Sequence, residues 1–338
     1  MKAWIIQTHG GVDGLALVEQ PQPEPAAGEV LVRIRAVSLN YRDLITLKAQ
    51  RPGNLPPPLV PCSDGAGEVV AIGAGVSRWQ VGDRVAGIFF RDWLEGSFDL
   101  KYHGAAGGGS IHGWLREFVA VPEAALVRVP AHLSFDEAAT LPCAAVTAWH
   151  ALFTRGALHA GETVLALGTG GVSVFALQLA AAAGARVIVT SSSDAKLTRA
   201  RELGVWETVN YRTTPEWDKE VWRLTEKRGV DHVVEVGGPG TLGKSMNSVA
   251  AGGQIALIGV LTGFGAPDAS LFPLVARNAR LDGIYVGSRA DFDALNAFLT
   301  QHDIHPIIDR TFPFADARAA FAHMEGAGHF GKIVIKIS

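Results

Sequence analysis

A strand, a glycine-rich turn and a helix follow one another between Thr163 and Ala183, and that succession constrains the chain more than any other feature. Thr163 to Leu167 reads as a short buried strand, and Val172 to Ala183 is apolar almost all round, as an interior helix must be. Between them lies Gly168-Thr169-Gly170-Gly171-Val172-Ser173. In such a turn the first glycine permits a tight reversal and the second lets backbone N–H groups approach a pyrophosphate. The positive end of the helix dipole then holds that anion. Ser173 stands where a third glycine is usual, so helix and strand pack less closely there. Further units follow: a strand at Arg186 to Thr190, a helix at Asp194 to Leu203, a strand ending at Val209 and an amphipathic helix at Pro215 to Lys227. More strands are expected at Val230 to Val236, Gln254 to Ile258 and Leu281 to Val286. This alternation predicts an α/β fold with a doubly wound parallel sheet.

The residues before it have another texture. Glu29 to Val37 alternates apolar and polar positions, and Glu68 to Ile72 and Arg84 to Phe89 read as further strands broken by Gly73, Gly75 and Gly82. From Arg91 to Gly113 the pattern dissolves into a long segment rich in glycine and aromatic residues, a length that marks functional loops. A helix at Phe292 to Thr300 and a strand at Lys332 to Lys336 close the pattern. A length of 338 residues suits about two domains, and 48% apolar against 19% charged residues supplies a large core. We expect a β-rich domain over 1–125, rejoined by 288–338, and a nucleotide domain over 126–287.

The formal net charge of −3 lacks the basic footprint of a nucleic-acid binder or a polybasic membrane anchor. Cys62 and Cys143 are the two cysteines, which excludes a disulfide scaffold and points to a reducing compartment. The first residues lack the pattern of a signal peptide, and the stretch from Val172 to Ala183 is too short to span a bilayer. A cytoplasmic protein with no nucleic-acid and no membrane partner is expected.

The end of the second strand bears on the cofactor. An NAD site places Asp or Glu about 20 residues after the glycines, against the ribose 2′-hydroxyl. Here the positions are Ser191-Ser192-Ser193, with Lys196 one helical turn on. Hydroxyls and an ammonium suit a 2′-phosphate, which selects NADPH. The serines serve equally to cap the next helix, as does Asp194. Tyr211 either flanks the adenosine phosphate or is an ordinary surface residue.

With these residues in place the sequence resembles the medium-chain dehydrogenase/reductase superfamily over essentially its whole length, and most of all its zinc-independent quinone oxidoreductase branch. The matching pieces are Leu39-Asn40-Tyr41-Arg42-Asp43, Asp64 to Val70, Val81 to Val85, Leu141 to Ala148, the glycine turn, and Gly328 to Val334. The resemblance implies a GroES-like catalytic domain, a Rossmann domain inserted in it, and a cleft between them for nicotinamide and substrate. It puts Asn40 and Tyr41 beside the nicotinamide and Thr147 near the ring or its phosphates. It sets Gly259-Val260-Leu261 and Val286 to Arg289, with Ser288 among them, along the cofactor, and Lys332 near its phosphates. It also implies a homodimer joined through the strand around Leu281 to Tyr285, with Leu257, Ile258, Val260 and Leu261 adding apolar area.

Zinc-dependent members of the family place Cys, a His-Glu pair, and Cys or an acid at three positions that here read Asn40, Ser63-Asp64 and Cys143. One thiol with an amide and a hydroxyl does not make a catalytic zinc shell, so no metal is expected. Cys143 then reads as a buried apolar residue. His103 and His112 are expected to reach solvent or substrate. Without a metal, reduction of an electron-poor quinone or enone asks least of the protein. Asn40 would hold the carboxamide or the substrate oxygen, Tyr41 would donate a hydrogen bond or proton, and Asp43 would serve structure. Phe89, Phe90, Trp93, Phe98, Tyr102 and Trp114 offer either a flat surface for a ring-shaped substrate or ordinary packing, and Gly107 to Gly109 would let a lid move. An NADP-dependent alcohol dehydrogenase and a catalytically idle NADPH-binding protein are the alternatives.

Overall fold

A computed structural model describes residues 1–49 and 56–337. The chain divides into two compact units, Met1–Val146 together with the segment from Gly287 onward, and Thr147–Val286. The first crossing therefore lies later than the 125/126 boundary expected from texture. The reason is sheet pairing, because residues on both sides of position 125 hydrogen-bond within the first unit.

In that unit β1 (Lys2–Ile6) and β2 (Leu15–Glu19) form an antiparallel ribbon. The larger sheet contains β3 (Glu29–Leu39), β4 (Asp64–Ile72), β5 (Arg84–Gly87), β6 (Phe118–Pro122) and β7 (Leu126–Arg128). Its remaining strands, β14 (Ile308–Pro313) and β15 (Lys332–Lys336), come from the returning segment. The order is β14-β15-β3-β4-β5-β7, with β6 also paired to β3. In β3 the expected alternation holds in part: Val30, Val32 and Ile34 are buried and Arg33 faces out, but Leu31 and Val37 on its face are buried as well. β4 begins at Asp64, before its apolar run, because Asp64 to Ala66 pair with Ser38 to Ala36. Gly65 is required there, since a Cβ would fall 2.6 Å from the Trp114 ring. The core joins Trp4, Ile6, Val32, Leu39, Phe321 and Ile333. Helices α1 (Tyr41–Leu47), α2 (Phe135–Ala138), α9 (Arg289–Gln301) and α10 (Ala317–Glu325) belong to this unit, and α3 (Val146–Trp149) spans the crossing.

The second unit is a six-stranded parallel sheet of β8 (Thr163–Leu167), β9 (Arg186–Ser191), β10 (Glu207–Asn210), β11 (Val230–Glu235), β12 (Val249–Leu257) and β13 (Arg280–Gly283). Their order is β10-β9-β8-β11-β12-β13, so the build direction reverses between β8 and β11. Such a switch point opens a ligand crevice outside the carboxyl ends of the strands. Between strands run α4 (Gly171–Ala182), α5 (Asp194–Glu202), α6 (Trp217–Leu224), α7 (Pro239–Ser248) and α8 (Phe272–Arg277). Leu165, Ile188, Val233, Met246 and Ile255 lie in its core. β12 starts earlier than the run at Gln254, because Val249 pairs with Val230 across a register shift. β13 stops at Gly283, short of the expected Val286. Among the described residues no helix is long and apolar enough to cross a membrane.

Candidate active site

In the first unit the residues of four sequence motifs meet in one buried polar cluster. Asn40 sits at the N-cap of α1, 8% exposed, with its backbone N–H donating to Asp43 Oδ2 at 2.8 Å. Its carboxamide Nδ2 donates to Ser63 Oγ at 3.4 Å, and Ser63 Oγ donates to Asp64 Oδ1 at 2.7 Å. The Cys143 N–H donates to Asp64 Oδ2 at 3.3 Å. Lys332 completes the group from the first position of β15. Its Nζ donates to Asn40 Oδ1 at 2.6 Å and to Leu39 O at 2.7 Å, and lies 3.8 Å from Asp64 Oδ2.

This placement corrects the expected phosphate contact of Lys332. The side chain is 3% exposed and its bonds are made inside the first unit, so it is an interior cation. Strand pairing explains the position, because Ile333 is registered against Leu39, immediately before Asn40. Tyr41 follows Asn40 at the first turn of α1 and is 44% exposed, which leaves its ring open to a ligand.

Electrostatics follow burial. Enclosure raises the Asp43 carboxyl to about 6, although Arg42, 3.5 Å away, and the Asn40 N–H pull the other way. Enclosure also raises Asp64, against the pull of Lys332, and pushes the thiols of Cys62 and Cys143 up. Both cysteines are free thiols. Arg42 donates to Gly107 O at 2.6 Å and lies over the Phe89 ring, so Arg42 and Asp43 have the structural duty expected of the pair.

In the insert between Arg91 and Gly113 the aromatic residues follow the packing alternative. Phe89, Phe90 and Trp93 are buried, and Trp93 stacks on Tyr102 with ring centroids 5.9 Å apart. Phe98 and His103 pack edge-on at 5.2 Å. The apolar rings therefore cover one another, and Trp114 packs on Gly65 and Gly87. Gly108 passes close against the chain at Cys62, since a Cβ there would fall 2.5 Å from Cys62 N. His112 accepts from the Val60 N–H at 3.2 Å, and burial followed by the nearby Arg116 lowers its pKa.

In the second unit the predicted cofactor residues gather at the carboxyl ends of the parallel strands. Gly168 takes φ +75° after β8, a conformation that favours glycine, and open space surrounds Gly168 and Gly170 where side chains would stand. Thr169 is buried between them, and Gly171 and Val172 open α4. Ser173 turns inward and donates to Leu167 O at 2.6 Å, tying helix to strand where the usual glycine would permit closer packing. After β9, Ser191 Oγ accepts from the Ser193 N–H at 3.3 Å, and Ser193 caps α5 by accepting from the Lys196 N–H at 3.4 Å. Asp194 accepts instead from Asn210 Nδ2 at 2.7 Å. The Tyr211 N–H donates to Ser191 O at 3.0 Å, which joins the third strand end to the serines while the Tyr211 ring stays exposed. Ser192 lies between the two bonded serines. Thr147, buried, is the first residue of this unit.

Sequence reasoning missed Glu235, a wholly buried carboxylate at the end of β11. It accepts from Gly237 N at 2.7 Å, Gly238 N at 3.0 Å and Thr241 Oγ1 at 2.6 Å, and also from Ser245. Its backbone oxygen accepts from Gly259 N, so it fixes the turn that presents Val260 and an exposed Leu261. The signal was present in the sequence as an acid directly before Val236-Gly237-Gly238.

Ser288 and Arg289 lie in the first unit, where their side chains bond to the chain itself. Ser288 caps α9, accepting from Asp291 N at 3.2 Å. Arg289 donates to Ala124 O at 3.2 Å and pairs with Asp293 at 3.8 Å.

Comparison with known proteins decides the family. Residues 26–131 match the alcohol dehydrogenase GroES-like domain and residues 171–301 the zinc-binding dehydrogenase family. A zinc-type alcohol dehydrogenase-like protein of Schizosaccharomyces pombe is 44% identical, over 97% of this chain and 96% of its own length. The chain belongs to the medium-chain dehydrogenase/reductase superfamily. Solved structures of this superfamily overlay the chain closely. A candidate alcohol dehydrogenase from Sinorhizobium meliloti superposes with a TM-score of 0.93 at 41% identity, covering 99% of this chain and 98% of its own. An NAD-dependent alcohol dehydrogenase superposes with a TM-score of 0.91 at 33% identity, covering both chains fully at 100%. Membership makes the protein an NAD(P)H-dependent oxidoreductase, with a GroES-like unit and a Rossmann-like unit.

Proposed function

We propose that the protein is an NADPH-dependent reductase of quinones or activated alkenes that works without a metal ion. The observation that carries this reading is the Lys332 ammonium, 2.6 Å from Asn40 Oδ1 and 3.8 Å from Asp64 Oδ2, at the positions where zinc-dependent relatives place ligands. An amide, a hydroxyl and a thiol kept protonated by burial do not fit zinc, and a fixed cation beside them opposes a second one. Among the described residues no three His, Cys, Asp or Glu side chains are placed to hold a metal.

The dinucleotide does fit. Gly168 and Gly170 leave the backbone bare at the head of the twelve-residue α4, which suits a pyrophosphate. Serine hydroxyls at the end of β9, with Lys196 one turn on, favour the 2′-phosphate of NADPH over the bare ribose of NADH. When bound, NADPH supplies a hydride. Asn40 Nδ2 and the Tyr41 hydroxyl are the donors for the substrate oxygen as negative charge builds on it, and solvent delivers the balancing proton. A quinone oxidoreductase of Pseudomonas syringae, 27% identical with a TM-score of 0.84, and a mycobacterial relative solved with NADPH, 26% identical, support the assignment. An acryloyl-coenzyme A reductase of Metallosphaera sedula, 26% identical, extends it to enoyl substrates.

The relatives named as alcohol dehydrogenases favour a second reading, NADP-linked alcohol oxidation. Rates with purified protein separate the two. NADPH oxidation by 1,4-benzoquinone and by simple enones, insensitive to chelators and in protein free of stoichiometric zinc, is the expected result. Faster alcohol-dependent NADP reduction, lost on chelation, overturns it, and tight NADPH binding with no turnover supports an idle binding protein. We place the protein in the cytoplasm, as its free thiols suggest, with a small molecule as substrate and neither nucleic acid nor membrane as partner.

A further inference from the structure

We propose that Lys332 is a positioning residue, whose ammonium holds the Asn40 carboxamide in one of its two orientations so that Nδ2 is the end presented to substrate. The inference rests on the role proposed above for Asn40. The two ends of an asparagine side chain are nearly alike in size, so hydrogen bonding alone decides which way round it sits. An ammonium only donates. At 2.6 Å it accepts Oδ1 as its neighbour and rejects Nδ2, which would set donor against donor. Nδ2 is thereby turned away from the cation. One of its hydrogens makes the long 3.4 Å bond to Ser63 Oγ and the amide also bonds the Asp64 carboxyl, so a substrate oxygen takes its hydrogen in competition with that pair.

The cation is itself held. Leu39 O takes a second Nζ hydrogen at 2.7 Å, Asp64 balances the charge, and the backbone of β15 is locked to β3 by the Ile333–Leu39 register. Ser38 Oγ donates to Ile333 O at 3.0 Å and ties the same two strands by a side chain. A rigid strand therefore sets the cation, the cation sets the amide, and the amide offers a fixed donor. Withdrawal of electron density through Oδ1 strengthens the amide N–H as a donor to a developing oxyanion.

A double-mutant cycle with a readout on each link tests this. Asn40→Ala, Lys332→Met and the double variant are compared for kcat and KM with 1,4-benzoquinone, NADPH affinity by fluorescence and melting temperature. Each single change is expected to lower kcat about tenfold or more, with KM and NADPH affinity within about twofold, and the double variant is expected to lose no more than Asn40→Ala alone. Losses that multiply, or wild-type kcat in Lys332→Met, overturn the proposal. If Lys332→Met leaves Asp64 too costly to bury, Lys332→Met/Asp64→Asn removes the lone charge and carries the same comparison. In protein labelled with 15N-asparagine, the side-chain amide signal that disappears in Asn40→Ala is expected to shift in the Lys332 variant, and an unmoved signal overturns the proposal. Should the wild type reduce no quinone or enone, the reading of Asn40 as a donor in that reaction fails, and the amide signal still decides whether Lys332 sets the carboxamide.

Discussion

Asp43 holds a carboxyl in the interior with its titration moved to about 6 from an ordinary 3.8. A folded-state pKa above the unfolded one means that the contribution to stability is full below about 4 and is lost as pH rises through 6. Moving the pKa from 3.8 to about 6 corresponds to about 3 kcal/mol. Asp43→Asn is therefore expected to gain stability relative to the wild type by up to that amount between pH 4 and pH 7, read from denaturant midpoints at each pH. A constant difference across the range contradicts the shift. In the proposed NADPH-dependent reading, Ser191 carries the cofactor preference at the same scale. A carboxylate there stands about 4 Å from a 2′-phosphate and opposes it by a few kcal/mol at an effective dielectric near 20. Ser191→Asp should weaken NADPH binding by about tenfold or more and leave NADH binding no weaker, as measured by fluorescence titration. Asn40, Asp64 and Cys143 were legible in the sequence as motif positions. The burial of Lys332 was not, because its contact with Asn40 joins residues 292 positions apart.

At the scale of elements the parallel sheet was readable from apolar runs of the right length, and β8 and α4 fell within a residue of expectation. The insert was not readable. Glycines and aromatics in a row suggest movement and an open surface, yet groups far away in sequence fill the space: the Arg42 side chain holds Gly107, and the Cys62 backbone crowds Gly108. Gly108→Ala tests the difference. With φ +65° and a backbone atom 2.5 Å from the new Cβ, it should cost about 2–4 kcal/mol and lower the melting temperature by several degrees. A freely moving lid would tolerate the change. The edge of α5 was legible only as an alternative between Ser193 and Asp194, since either chemistry caps a helix, and the side-chain bond of Asn210 to Asp194 lies outside any local pattern.

For the whole molecule, texture revealed two units but misplaced where the chain crosses between them, since pairing of β6 with β3 and β7 with β5 leaves no mark in local composition. We propose that two copies associate through the outer strand β13 and the exposed apolar residues Leu261, Phe264, Leu271, Phe272 and Val275. An open strand beside apolar side chains is a template for pairing. Light scattering should report a dimer at micromolar concentration, and Phe272→Glu with Val275→Glu should yield a monomer with an unchanged far-ultraviolet spectrum. The placing of β15 between β14 and β3 has a further consequence for the order in which the chain matures. The Thr147–Val286 unit is continuous in sequence and has all its strands once it leaves the ribosome, whereas the sheet that starts earlier must wait. Until Lys332–Lys336 emerges, the Val37–Leu39 end of β3 is an unpaired margin that a nascent neighbour or a chaperone can occupy. The same late strand brings the ammonium, so the polar centre acquires its charge and its last backbone hydrogen bonds in a single event of synthesis.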